Sequence, residues 1–153
     1  MDIEIESEAK MRKFGSTIGA LLDGGEIIEL VGDVGSGKTV LVKGIAKGLG
    51  IDENVQSPSF LIRGNYQGNH GITLAHYDFY RLDDAGIMAE ALDETVHDNK
   101  TVTAIEWSNI VDKILPDDRL RINIKAVSEA SRVLTLKAGG KISKELIKRL
   151  EKK

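Results

Sequence analysis

The residues best placed to do chemistry lie in one short run, Gly32 to Thr39, which reads GDVGSGKT. It fits G-x-x-x-x-G-K-[ST], the spacing of a loop that grips nucleotide phosphates. Gly32, Gly35 and Gly37 let the backbone turn tightly and aim N–H groups inward, because glycine takes positive φ at little steric cost. Those donors, and the positive end of the helix that follows, suit an anion. Lys38 is expected to reach the β and γ phosphates, and the Thr39 hydroxyl to ligate Mg²⁺. Gly32, Asp33, Val34, Gly35, Ser36, Gly37, Lys38, Thr39 and Val40 are therefore the nucleotide-binding candidates.

Two carboxylates stand at comparable places. The apolar strand before the loop ends at Val31, a second ends at Asp78, and a third ends at Glu106. In an open α/β sheet, ligands sit beyond the carboxyl ends of the strands. If the three ends point the same way, Asp78 and Glu106 face the phosphates. One can hold Mg²⁺, directly or through its water, and the other can orient or deprotonate an attacking water. The metal candidates are thus Thr39, Asp78 and Glu106, and the catalytic candidates are Glu106 and Lys38. Either acid can instead cap a helix or pair with a nearby arginine such as Arg81. His76 reads as a packed or hydrogen-bonded strand histidine before it reads as a ligand. Trp107 suits a ligand stack or a core rim equally, and Arg81 suits a salt bridge before it suits phosphate sensing.

The elements that must position these groups follow from periodicity. Asp2–Glu6 alternates as an edge strand. Ser7 is an N-cap for a helix with Met11, Phe14, Ile18 and Leu21 or Leu22 on one face. The helix after the loop carries Leu41, Ile45 and Leu49, and Gly50 sits at its C-terminal cap. Phe60–Tyr66 and Ile72–Tyr77 form a hairpin across Gln67–Gly71. A helix is expected over Asp83–Glu94, with Ile87, Met88, Ala91 and Leu92 apolar. Thr101–Ile105 is a strand that delivers Glu106 and Trp107, and Asn109–Leu115 a short helix stopped by Pro116. Leu120–Val127 and Val133–Lys137 make a second hairpin. A basic amphipathic helix, about Ser143 to Lys153, closes the chain.

At 153 residues, 41% apolar and 29% charged, the chain suits one compact soluble domain, 1–153. It has no cysteine, so disulfides and cysteine-ligated zinc are excluded. The start, MDIEIESEAK, is acidic and lacks the apolar run of a secretory signal, and no stretch is long enough to span a bilayer. A cytoplasmic setting with no membrane is the expectation. The net charge of −3 argues against a broad nucleic-acid groove. From Lys141 to Lys153, six basic and two acidic residues give +4, which leaves −7 on the rest. Such a tail reads first as a solvated helix end and second as a contact for phosphate or an acidic partner.

GDVGSGKT, then SPSF at Ser57–Phe60, HYDFYR at His76–Arg81 and IEW at Ile105–Trp107, in this order and spacing, resembles the TsaE family. The likeness extends to RVLTL, Arg132–Leu136. It implies an α/β fold, P-loop NTPase-like and three-layered, with a central parallel sheet and flanking antiparallel strands. It implies ATP and Mg²⁺, and hydrolysis that is weak alone and coupled to TsaB and TsaD homologues. The implied task is to drive or reset their complex as it forms the threonylcarbamoyl group on adenosine 37 of tRNA, with tRNA met only through the complex. By resemblance Asp78 takes the metal, Glu106 serves hydrolysis, and SPSF, with Ser59, is a switch-like loop near the γ-phosphate. Two departures from the family pattern stand out. Ser59 stands in place of threonine, keeping the hydroxyl without β-branching. Ser108 and Asn109 replace a Pro-Glu pair and so remove one carboxylate.

Two rival readings share the loop. One is a nucleotide-gated binding module whose hydrolysis is incidental. The other is a small P-loop kinase, against which stands the lack of an arginine-rich lid. Guanine specificity lacks its N-K-x-D element, since Asn99-Lys100 runs into Thr101 and Val102.

Overall fold

The computed structural model describes residues 1–56 and 62–153. The SPSF segment, and with it Ser59, lies outside the described residues. The start of the first hairpin strand, Phe60–Leu61, does too.

The described chain runs β1 (Asp2–Ile5), α1 (Glu8–Gly19), β2 (Ile27–Val31), α2 (Lys38–Gly48), β3 (Arg63–Gln67) and β4 (Thr73–Asp78). It continues through α3 (Met88–Val96), β5 (Thr101–Glu106), β6 (Leu120–Ala126), β7 (Arg132–Ala138) and α4 (Lys141–Glu151). All seven strands form one sheet in the order β1-β7-β6-β2-β5-β4-β3. Strands β6, β2, β5 and β4 are mutually parallel, while β1, β7 and β3 pair antiparallel at the sides. Helices α1, α2 and α4 pack on one face, and α3 covers part of the other. This is the three-layer α/β arrangement expected.

Burial explains the strand types. Every residue of β4 except Thr73, and all of β5, is buried, as parallel strands covered on both faces require. In β6 the apolar Leu120, Ile122 and Ile124 alternate with half-buried or exposed residues, because its second face carries no helix over Arg121 and Lys125.

Helices α1 and α2 cross at backbone contact. A methyl on Gly15 would stand 2.5 Å from the Leu41 carbonyl oxygen, and one on Gly44 2.4 Å from that of Arg12. A mid-helix glycine costs roughly 1 kcal/mol against alanine. Here the close approach brings the first turn of α1 over the phosphate loop, where the Met11 methyl lies 3.3 Å from a Cβ built on Gly37.

One helix starts later than its periodicity suggests. The stretch expected from Asp83 is helical only from Met88, and Ile87, read as an apolar position of that helix, is 84% exposed. The Asp84 carboxylate accepts the Gly86 N–H at 2.9 Å, and Gly86 takes φ 56, so a local turn replaces the first helical turn. The segment after Trp107 is a 3-10 turn, Ser108–Val111, in place of a longer helix. The closing helix is held at its start by Asp118. That carboxylate accepts the Ile142 and Ser143 N–H groups at 2.8 and 3.0 Å and the Ser143 hydroxyl at 2.6 Å. Leu146 and Leu150 then anchor the helix on the core. Among the described residues no helix is long and apolar enough to cross a membrane.

Candidate active site

The loop after β2 is shaped by two kinds of glycine. Gly37 takes φ 107 and caps α2, a conformation that side chains resist. Gly32 is needed for space, since a Cβ there would meet the Ser36 hydroxyl at 2.6 Å and the Ile124 carbonyl at 2.7 Å. From the far side, Arg132 fastens the loop. Its Nε donates to the Ser36 carbonyl at 2.9 Å and its Nη2 to that of Gly35 at 3.3 Å. In a trans peptide the N–H opposes the carbonyl, so the Gly37 N–H points away from the guanidinium.

Lys38 is folded back on its own loop. Its ammonium donates to the Gly32 carbonyl at 2.6 Å and the Asp33 carbonyl at 2.9 Å, and lies 4.5 Å from the Trp107 ring centre. Burial lowers its pKa, while Glu106, Asp78 and Asp33 pull the other way. Trp107 sits in the left-handed region at φ 57 and packs on Tyr80 with ring centres 4.7 Å apart. A non-glycine residue held there marks a position that its surroundings over-determine.

The three strand ends do point one way. Strand β2 pairs parallel with β5, and β5 with β4, in a register that sets Asp78 opposite Glu106. Both acids are buried, at 5% and 2% exposure, on the face that carries α2. The Thr39 hydroxyl lies 3.3 Å from Glu106 Oε1, and His76 Nε2 lies 3.4 Å from the same oxygen. Asp78 accepts the Tyr80 N–H at 3.0 Å. A cleft of about 400 Å³ joins Val34–Val40 to Asp78, Tyr80, Glu106 and Trp107. Gly32 and Asp33, also expected at the nucleotide, lie outside this lining and meet it through their carbonyl contacts with Lys38. Among the described residues Arg81 makes no ion pair; its guanidinium lies 4.9 Å from the Tyr80 ring centre, against the salt bridge expected of it.

Two features escaped the sequence. A hollow of about 350 Å³ opens on the other side of the loop, between Ser7 and Met11 of the first helix region and Arg132, with Val40 shared by both cavities. The sequence shows that the first segment is near in order, not which residues reach. Arg132 stood in the sequence only as the first residue of RVLTL, and its loop contact, which spans 96 positions, was not legible there.

The family model for threonylcarbamoyl adenosine biosynthesis protein TsaE matches residues 5–134. The chain belongs to the TsaE family. The tRNA threonylcarbamoyladenosine biosynthesis protein TsaE of Bacillus subtilis is 40% identical over 117 residues, covering 76% of this chain and 72% of that protein. The protein of the same name from Treponema pallidum is 33% identical over 124 residues, covering 81% of this chain and 90% of that one. The crystal structure of Bacillus subtilis YdiB superposes with a TM-score of 0.84 at 29% identity, covering 99% of this chain and 94% of that one.

The Ser108 departure from the TsaE pattern acquires a physical role. Its hydroxyl donates to Glu29 Oε1 at 2.6 Å, which ties down the turn after Trp107 where a proline ring would otherwise stiffen it.

Proposed function

We propose that this chain is a Mg²⁺-dependent ATPase that drives or resets an assembly of TsaB and TsaD homologues as it forms the threonylcarbamoyl group on adenosine 37 of tRNA. The observation that carries this reading is the convergence of Lys38, Thr39, Asp78 and Glu106 on one cleft at the carboxyl ends of three parallel strands. The assembly is read from the names of the relatives and from the family resemblance.

The triphosphate lies along the loop N–H groups and the start of α2. Lys38 exchanges the Gly32 and Asp33 carbonyls for phosphate oxygens, which makes a stronger charge-assisted contact. The adenosine end has the hollow beside Ser7, Met11 and Arg132. Glu106 accepts a hydrogen bond from a water and aims its oxygen at the γ-phosphorus. As that P–O bond forms, the bond to the β-bridging oxygen breaks, ADP leaves with the electron pair, and the water's proton passes to Glu106 and on to solvent. Trp107 and Tyr80 border this end of the cleft and limit bulk water there.

The donor set fits magnesium. Among the described residues no three His, Cys, Asp or Glu side chains group closely enough to hold a metal alone. One hydroxyl and two carboxylates beside a phosphate site match an ion that keeps several waters and shares the substrate's oxygens. When bound, magnesium supplies charge neutralisation on the β and γ phosphates.

The test is phosphate release from ATP with and without TsaB and TsaD homologues from the same source. Weak turnover alone and faster turnover in the complex are expected, with Lys38→Ala losing ATP binding or turnover. No release under any combination overturns the reading. The folded-back Lys38, which must move for a nucleotide to enter, favours a second reading: a nucleotide-gated docking module. Full multi-turnover tRNA modification by a hydrolysis-dead chain would select it.

A further inference from the structure

His76 is a costly residue to keep where it is. It lies on β4 two positions before Asp78, so both side chains leave the same face of the sheet. It is 0% exposed, and among the described residues neither ring nitrogen has a hydrogen-bond partner. An apolar side chain of similar volume would fill that space without the penalty for an unpaired buried polar group. On the next strand His76 is paired with Ala104, two positions before Glu106. The small alanine leaves the imidazole room to stand behind the carboxylate, with Nε2 3.4 Å from Oε1.

We propose that His76 is the positioning residue for Glu106. Its Nε2–H donates to Oε1 and holds the carboxylate so that Oε2 faces the attacking water. The observed distance is just beyond a good hydrogen bond, and such bonds often tighten only once substrate is bound. Among the described residues both contacts of the carboxylate, from Thr39 and from His76, fall on Oε1. The arrangement follows the general rule that a base is itself oriented by a third group. A carboxylate without that support is misaimed, and an error of about 1 Å can cost roughly 100-fold in rate. The assignment deepens the ATPase reading and rests on it.

The test uses three variants, assayed for ATP affinity and for kcat and KM in the complex with the partner proteins. His76→Gln puts an amide N–H where Nε2 stands, His76→Asn puts it near Nδ1, and His76→Leu removes it. His76→Leu and His76→Asn are expected to lose roughly 10- to 100-fold in kcat with ATP affinity and KM nearly unchanged. His76→Gln is expected to recover much of the loss. Should His76→Leu not fold, the Asn and Gln pair carries the comparison. Wild-type kcat in His76→Asn, or equal loss in Asn and Gln, overturns the positioning role while the ATPase reading stands. Absence of turnover in the wild-type complex overturns both.

Discussion

Two buried glutamates on neighbouring strands live under opposite rules. Glu29 of β2 and Glu106 of β5 are 1% and 2% exposed and leave opposite faces of the same sheet. Glu29 is fully engaged. It accepts from Ser108 at 2.6 Å and from Arg119 at 2.8 Å, with Arg121 at 3.6 Å, and Arg119 is itself fixed by Asp112 and the Pro116 carbonyl. Among the described residues the Glu106 carboxylate has contacts only at 3.3 and 3.4 Å, to a hydroxyl and an imidazole. A buried charge closed off by two arginines holds structure together. One left with long contacts beside a cleft is poised for something that arrives. The two are coupled, since Ser108 bridges Glu29 to the turn that begins one residue after Glu106.

The same substitution at both sites separates the two roles. Glu106→Gln is expected to lower ATP hydrolysis by roughly 100- to 10,000-fold, the range for removing a general base. Binding of ATP should persist, and urea unfolding should show equal or greater stability, because strained sites trade stability for activity. Normal turnover after this change removes Glu106 from its role. Glu29→Gln should do the reverse. It leaves Arg119 short of its buried partner and should cost about 3 kcal/mol, the low end for breaking such a pair, since Asp112 remains. ATP affinity should hold. If Glu29→Gln is silent in urea, or costs more in turnover than Glu106→Gln, the contrast between the two sites fails.

Acid provides a graded version of the same contrast. Burial alone would raise the Glu29 carboxyl, but Arg119, Ser108 and Arg121 together hold it below its ordinary 4.5. A carboxylate with a depressed folded-state pKa stabilises the fold above the unfolded value and loses that contribution as pH falls through the folded one. Unfolding midpoints measured from about pH 6 to about pH 3.5 should therefore fall, and fall less steeply in Glu29→Gln. Parallel curves for the two proteins would show that the ion cluster contributes nothing pH-dependent.

What was legible in the sequence was local. The phosphate loop, the strand ends at Asp78 and Glu106, the Ser7 cap and the two hairpins each rest on spacing within a few residues. What was not legible depends on residues far apart in the chain. Glu29 sat in a strand read as simply apolar, and its meaning comes from Arg119, 90 positions away. Gly15, Gly19, Gly44 and Gly48 look like helix breakers until the two helices are seen to touch. The late start of α3 is a local failure with a local cause, the Asp84–Gly86 turn outcompeting helix. Ser108 looked like a lost proline, and only the three-dimensional contact with Glu29 gives the hydroxyl its use.

The smallest expected effect tests whether a paired acid far from the cleft is only structural. Asp118 accepts two N–H groups and a hydroxyl at the start of α4, and these donors outweigh burial to lower its pKa. Asp118→Ala should cost about 1 kcal/mol, the usual worth of a helix cap, and loosen only the closing helix. Faster amide exchange confined to residues 141–151, with unchanged ATP turnover, is the expected pattern. Satisfied carboxylates act where they sit, so their loss stays local. A fall in ATP turnover would mean that α4, through Leu146 and Leu150, transmits strain across the core to the phosphate loop, and the division between structural and catalytic acids would have to be redrawn.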